Sequence, residues 1–312
     1  MKLSQLISYR NLLRTKEFDP EYGAITGRLD HIVHTVQNHK VQFPSCTKDV
    51  ALHSDNVRRA IKGFHRELET LKVEIETQIA RQERSYYQQS LRWFIDESPN
   101  ETTDYILDRR LKISDADKEV LCNRIRSHSD WRLPGMVLRP SKEDFIDIMV
   151  ALDPLYVVDL SEALLQPAVS HFPDMYQIRV RQYVINDKTD DKIFDRLPKG
   201  QFGLIFAYSY FNFLPMEMIK RYLAESMELL RPGGTIIFTY NDCDREESVG
   251  SVENHFMCYT PGGKIQQMAK ELGFEIERNV YGDHGLAWFE MRRPGKVSSM
   301  RGAQTLAKIY RI

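Results

Sequence analysis

The stretch Gln201-Phe202-Gly203-Leu204-Ile205-Phe206-Ala207-Tyr208-Ser209-Tyr210-Phe211-Asn212-Phe213-Leu214-Pro215, continued by Leu229-Leu230-Arg231-Pro232-Gly233-Gly234-Thr235, decides the fold class. Phe202 to Tyr208 reads as a strand, Met216 to Leu230 as a helix and Thr235 to Tyr240 as the next strand. Pro232 stops the helix, and the paired glycines are expected to supply positive φ values for a tight turn into the strand. Outward from this unit, hydrophobic periodicity after Trp131 switches between two and 3.6. An apolar run, Met136 to Leu138, precedes a capped helix from Ser141 with Phe145, Ile146, Met149 and Val150 inward. Leu155 to Val158 is β-rich and ends in Asp159. Further strands are expected at Ile178–Ile185, Phe274–Tyr281 and Leu286–Arg292, with a helix at Gly263–Leu272. Strands alternating with helices of this length mean βαβ units and a mostly parallel sheet, so the class is α/β. Ligands of such sheets bind beyond the carboxyl ends of the strands.

These residues carry a resemblance. The run from Gln201 to Pro215, its helix and the Leu230-Arg231-Pro232-Gly233-Gly234 turn resemble the fourth strand, helix and fifth strand of class I S-adenosylmethionine-dependent methyltransferases, across residues 131 to 292. The resemblance implies a Rossmann-like methyltransferase sheet with S-adenosylmethionine as cofactor. Within Val157-Val158-Asp159-Leu160-Ser161 it puts Asp159 on the cofactor ribose, where a carboxylate can accept two hydrogen bonds from a diol. Within Asn186-Asp187-Lys188-Thr189-Asp190 it puts Asp187 near the adenine amino group, with Ala207 and Tyr208 also around the adenine. The stretch from Gly135 to Ser141 falls at the methionyl end. Asp159→Ala is then expected to weaken the cofactor and leave folding nearly unchanged, because a carboxylate facing a cleft supports little packing.

One feature departs from that family. Its first motif is a glycine-rich loop whose bare backbone approaches the cofactor. Here Gly135-Met136-Val137-Leu138-Arg139-Pro140-Ser141-Lys142-Glu143-Asp144-Phe145 has no glycine within the loop itself. Ser141 with Asp144 is a capping-box pattern, which satisfies the helix's own first amides. Arg139 or Lys142 is either a partner for the cofactor carboxylate or part of a charged loop surface. Two functions follow. One is a methyltransferase-like protein of unassigned acceptor, active or a pseudoenzyme. The alternative is a non-catalytic assembly protein, for example a virion structural protein, that kept the sheet and lost the loop.

The N-terminal part reads as helical. Asp19 and Pro20 open a run with Tyr22, Ile25, Leu29, Ile32 and Val36 at coiled-coil spacing. A second run from Asp55 carries Val57, Ile61, Phe64, Leu68, Leu71 and Ile75 on one seam, with Arg58, Lys62, Glu67, Glu69 and Glu74 off it. Continued through Ile79, Tyr86, Leu91 and Phe94, it reaches about 40 residues, about 60 Å of helix. Asn38 to Ser54 separates the runs and allows an antiparallel hairpin. Asp96 to Thr103 reads as the break that follows. We therefore divide the chain into a helical coiled-coil arm, 1–112, and a Rossmann-like methyltransferase-like domain, 113–312, with a basic tail carrying Lys296, Arg301, Lys308 and Arg311. The arm is either an oligomerisation or docking device, giving a homo-oligomer or larger assembly, or an intramolecular helical subdomain.

Charge excludes a further class. Lys plus Arg number 43 and Asp plus Glu 44, so no net field gathers a polyanion or an anionic membrane, and nucleic acid is not indicated. No apolar stretch nears the roughly 20 residues of a membrane span, and the start lacks an apolar signal core, which gives a cytoplasmic expectation, or a place in a virus particle. Cys46, Cys122, Cys243 and Cys258 are too widely spaced for a CxxC clip, and no metal site is expected. Asn100-Glu101-Thr102 reads as turn chemistry after Pro99. No catalytic residue is assigned. His255, His284, Asp242 and Asp283 fall at or near the later strands, where a proton acceptor would assist methyl transfer.

Overall fold

A computed structural model describes residues 27–34, 62–64, 66–75, 77, 113–140, 145–160, 162–187, 191–245, 247–248, 257–258 and 260–295. Seven strands make one sheet in the order β3-β2-β1-β4-β5-β7-β6. They are β1 (Gly135–Leu138), β2 (Leu155–Asp159), β3 (Val180–Val184), β4 (Phe202–Ala207), β5 (Leu230–Asn241), β6 (Glu275–Tyr281) and β7 (Leu286–Arg292). The strands β1 to β5 are parallel, and β7 runs antiparallel to both β5 and β6. Strands β1, β2 and β4 are buried along their whole length, as their unbroken apolar runs require. Chain order reverses between β1 and β4. That switch point is where an open α/β sheet leaves a crevice at its carboxyl edge.

The labelled helices are α1 (Asp115–His128), α2 (Ile146–Met149), α3 (Glu162–Val169), α4 (Asp174–Gln177), α5 (Met216–Leu229) and α6 (Gly262–Glu271). On one face, Val137, Val157 and Phe206 pack in a cluster with Leu121 and Ile125 of α1, Met149 of α2 and Leu165 of α3. On the other, Leu138, Val158, Ile205 and Phe238 pack with Ile219 and Leu223 of α5 and Ile265 of α6. Helix α1 escaped sequence notice, although it is well signalled. Ser114 Oγ accepts from the Asp117 amide at 3.2 Å, Asp115 and Asp117 sit in the first turn, and Arg126 and His128 sit in the last.

The first part of β5, expected as a turn, needs its glycines for two different reasons. Gly233 has φ +78°, the left-handed conformation expected of it. Gly234 is required instead by close approach, since a Cβ there would lie 2.6 Å from the Phe202 carbonyl oxygen. Val150, expected inward, is exposed just past α2.

Residues 27–34 and 66–75 are helical, apart from any label above. Leu71 and Ile75 are buried and Leu68 is half-buried, while Glu67 and Glu69 are exposed, so the described part of the second seam has the expected sides. Arg28 Nη1 donates to Glu74 Oε2 at 3.0 Å and ties the two stretches together. Leu29, Ile32, Val33, Leu71 and Ile75 belong to the same apolar cluster as α1 and the sheet. The core is thus continuous across the 112/113 division, and this part of the seam is covered by the chain itself. The helix start at Asp19 and Pro20, the break from Asn38 to Ser54, the run from Ile79 to Thr103 and the tail from Lys296 lie outside the described residues. No described helix is long and apolar enough to cross a membrane.

Candidate functional site

The carboxyl edge of β1, β2 and β4 holds a buried polar network. Asp159 is the last residue of β2 and has 0% exposure. Arg139, directly after β1, is 4% exposed and donates from Nε to Asp159 Oδ2 at 3.2 Å. The other oxygen, Asp159 Oδ1, accepts from the Leu160 amide at 2.6 Å. Arg139 has φ +52°, a left-handed conformation that costs a side-chain-bearing residue roughly 1–2 kcal/mol. Its guanidinium carbon lies 4.7 Å from the Tyr210 ring centroid, and this stacking adds a second attraction to the ion pair. Burial, the largest influence, would lower the Arg139 pKa. The Asp159 carboxylate, helped by Tyr210 and Tyr222, outweighs it, so the net shift is upward and the group is a full cation.

The network continues through two tyrosines. The hydroxyls of Tyr210 and Tyr222 are 2.7 Å apart, and Tyr222 donates to Asp187 Oδ2 at 3.2 Å. Because a carboxylate only accepts, the single Tyr222 proton is committed to Asp187, and Tyr210 is the donor to Tyr222. Burial pushes the Tyr210 hydroxyl pKa up, so it remains protonated. The Asp187 backbone carbonyl accepts from Arg221 Nη1 at 2.7 Å. One relay thus runs Asp159, Arg139, Tyr210, Tyr222, Asp187.

Of the four residues assigned to a cofactor, the structure links Asp159 with Asp187 and separates the other two from them. Gly135 opens β1, at the amino end of the strand. A Cβ there would lie 2.9 Å from Leu152 Cγ, so the glycine makes room for core packing. Tyr208 is buried on the opposite side from Tyr222, with its ring 5.0 Å from Phe145, edge to face. The expectation that Asp159 supports little packing is also overturned, since it neutralises a buried cation. Ser141 to Asp144, with the expected capping box, lie outside the described residues.

Among the described residues, two spaces lie near these strands. A cavity of about 20 Å³, room for about one water molecule, lies among Val137, Phe145, Met149, Val157, Phe206 and Tyr208 beneath Arg139. A cleft of about 790 Å³ beside β3, along Tyr183–Asn186 and Asp191–Leu197, is lined by none of Arg139, Asp159 or Tyr208. Pockets that enclose ligands of cofactor size run to about 300–1,000 Å³. Neither of these two spaces combines that size with a lining of Arg139, Asp159 or Tyr208. The oxygen that would take the cofactor ribose is already bonded to Arg139.

The proposed proton acceptors have other duties. Asp242 Oδ1 accepts from the Gly262 amide at 2.9 Å and from the Asp244 amide at 3.0 Å, so it caps α6 from the end of β5. Burial raises its pKa against those two bonds. Tyr240 donates to its Oδ2 at 3.2 Å. Asp283 is exposed ahead of β7, and its amide donates to Asp117 Oδ2 at 2.7 Å. His255 and the His284 side chain lie outside the described residues. Cys122, Cys243 and Cys258 are buried; Cys46 lies outside the described residues.

At the opposite sheet edge, His128, Glu277 and Glu290 bring one ligand atom each within 4.8 Å of one another, a grouping the sequence did not suggest. Two arginines already supply positive charge there. Arg124 Nε donates to Glu290 Oε2 at 2.8 Å while its Nη2 bonds Oε1, and Arg292 Nε lies 3.3 Å from Glu277 Oε1. His128 Nε2 is 2.5 Å from Glu290 Oε1. Burial would raise the Glu290 pKa, but the hydrogen bonds from His128 and Arg124 hold it well below the glutamate range. Glu277 is pushed up by burial and by Glu290. We read this cluster as an ion-pair clamp between α1 and the β6–β7 edge.

No family model matches the chain, and no curated protein matches its sequence. Similar solved structures include a SAM-dependent methyltransferase from Aquifex aeolicus, with 10% identity over 57% of this chain and 89% of that one and a TM-score of 0.42. Another is the N-methyltransferase NodS from Bradyrhizobium japonicum WM9 in complex with S-adenosyl-L-homocysteine, with 13% identity over 67% of this chain and 99% of that one and a TM-score of 0.44. A third is the [4+2]-cyclase SpnF, with 10% identity over 59% of this chain and 84% of that one and a TM-score of 0.45. Likeness at this level bears on outline alone and says nothing of chemistry. By its own strand order, β3-β2-β1-β4-β5-β7-β6 with β7 reversed, the chain has the Rossmann-like fold of class I S-adenosylmethionine-dependent methyltransferases.

Proposed function

We propose that the chain is a methyltransferase-fold protein whose nucleoside site is closed, so that in this state it neither binds S-adenosylmethionine nor transfers a methyl group. The observation that carries this reading is the full burial of Asp159 against Arg139 at 3.2 Å. Asp159 ends β2 and Asp187 follows β3, where the fold would use carboxylates on a ribose and an adenine amino group, so S-adenosylmethionine is the ligand for which the layout is suited. The chain's own groups hold that layout shut. Arg139 takes the acceptor oxygen, Tyr210 supports the guanidinium from below, and Tyr222 occupies Asp187 Oδ2. Asp242 Oδ1 is already committed to the Gly262 amide of α6 and to the Asp244 amide.

Calorimetric titration of the full chain with S-adenosylmethionine and S-adenosylhomocysteine tests the reading. No binding heat up to about 1 mM ligand is expected, the regime of ΔG weaker than about −4 kcal/mol. A micromolar Kd returns the protein to the cofactor-binding enzymes. Methyl acceptor and partner stay open on this reading. A scaffold role through the N-terminal helices is compatible with it, but their described seam is already covered within one chain.

A further inference from the structure

We propose that the β3 edge is a self-pairing surface, on which two copies of this chain join antiparallel about a two-fold axis at Gln182 and run their sheets into one. This pairing makes no use of the closed nucleoside site. Among the described residues, β3 has β2 on one side and no strand on the other, so one row of its backbone groups faces away from the sheet. The pairing with β2 identifies that row. The Ile185 amide donates to the Asp159 carbonyl at 3.0 Å, and alternate residues of a strand direct their backbone groups to the same neighbour. Arg181 and Tyr183 therefore turn their N–H and C=O groups toward β2, while Val180, Gln182 and Val184 turn theirs outward.

The edge is also poorly guarded. Natural edges are blunted by charge, by proline or by a bulge. Strand β3 pairs with β2 in unbroken register and holds one charge within its span, Arg181. Beside it Met175 is 87% exposed and Ile178 86%, and Val184 on the strand itself is 52% exposed.

A second copy is the occupant this row fits, because the strand opposes itself well in one register. An antiparallel pair sets outward groups against outward groups, so the two-fold registers that join three residues or more are centred on Arg181, Gln182 or Tyr183. The first puts Arg181 against the partner's Arg181, a repelling contact, and joins three residues. The third also joins three. The register at Gln182 joins all five, with about six backbone hydrogen bonds from its three outward pairs. It sets Val180 against the partner's Val184 and Arg181 against the partner's Tyr183. Arg181 already stands 5.6 Å from the Tyr156 ring, on which Tyr183 stacks at 5.7 Å, so the cation and the rings share one face of the sheet and attract across the axis. The same register carries exposed Ile178 toward the partner's Asn186, at the wall of the cleft of about 790 Å³.

Position 182 is its own partner in this arrangement, and that supplies the test. Gln182→Lys and Gln182→Glu are changes at an exposed residue, and each alone sets like charges across the axis. Sedimentation equilibrium of the full chains at low salt, up to about 100 μM, should show a wild-type dimer, about fivefold weaker association of either variant alone, and a dimer restored on mixing the two variants. A wild type that stays monomeric overturns the proposal. So does a dimer that neither substitution weakens, since its interface then lies elsewhere on the chain. Variants that are weakened but not restored by mixing show that the two Gln182 residues do not meet, which overturns the register. Amide hydrogen exchange on the wild type carries the test if the variants melt early. Protection at Val180, Gln182 and Val184 should rise with protein concentration while that at Arg181 and Tyr183 stays constant, and a uniform rise or none counts against the proposal.

Discussion

Asp159→Ala should unfold the protein far more readily than a strand-end substitution normally does. It deletes the Arg139 Nε bond at 3.2 Å and the Leu160 amide bond at 2.6 Å, and it takes the Asp159 charge away from a guanidinium that is 4% exposed. The Tyr210 ring contact is present before and after, so it does not offset the loss. Breaking a buried ion pair by removing one partner costs about 3–5 kcal/mol. Set against a total of about 5–15 kcal/mol for a typical domain, that is a large share. Urea unfolding at neutral pH, followed by circular dichroism, reads the difference as a lower midpoint at unchanged slope. Adding Arg139→Met should recover most of the loss, because an apolar group of similar size in place of a buried pair is often neutral or better. An Asp159→Ala protein within about 0.5 kcal/mol of wild type would mean that the carboxylate faces water, and the buried network would be refuted.

Other consequences are open to the same measurements. Gly135→Ala should cost about 1–3 kcal/mol, since its Cβ must displace the buried Leu152 side chain, and should leave ligand behaviour untouched; a stability change near zero would count against this. Leu71→Ala, at a fully buried seam position, should cost about 2–5 kcal/mol with no change in sedimentation, and altered association would place that seam between chains. Glu290 has a folded pKa depressed below its unfolded value of about 4.3, so its contribution is present above that pH and is lost as pH falls toward the folded value. Glu290→Gln should therefore lower stability by about 2–3 kcal/mol at pH 7 and flatten the acid limb of a stability-against-pH curve; an unchanged limb would contradict the clamp. Glu277 is shifted the other way, so Glu277→Gln should be neutral or stabilising at pH 7, and a clear loss would show that its charge is needed.

Much of the fold was legible because both periodicities are strong. The Gln201–Pro215 stretch placed β4 and α5 nearly at their observed ends, whereas β5 begins at Leu230 and takes in the expected turn, and the apolar runs gave β1, β2 and β7. Helix α1 was missed because Leu121, Cys122 and Ile125 make a short apolar stripe among many charges, although its caps were there to be read. The candidate site was legible only in part. Asp159 and Asp187 were singled out from their places at strand ends, but the groups that face them were not. An arginine after a strand reads as surface charge in one dimension. Only pairing β1 beside both β2 and β4 brings Arg139 against Asp159 and Tyr210, residues 20 positions and 71 positions away. Gly135 misled for a related reason: a glycine near an expected loop suggests ligand approach, whereas here Leu152 takes the space.

Thermal melting of the full chain with and without S-adenosylhomocysteine tests the central claim most directly. A ligand present at about 100 times its Kd stabilises the folded state by about 2.7 kcal/mol, which moves a melting temperature by several degrees. With Asp159 buried against Arg139, the expected result at about 1 mM ligand is no shift. A rise of several degrees in the wild-type protein, lost in a folded Asp159→Asn variant, would contradict it and show that Arg139 yields the site to the cofactor.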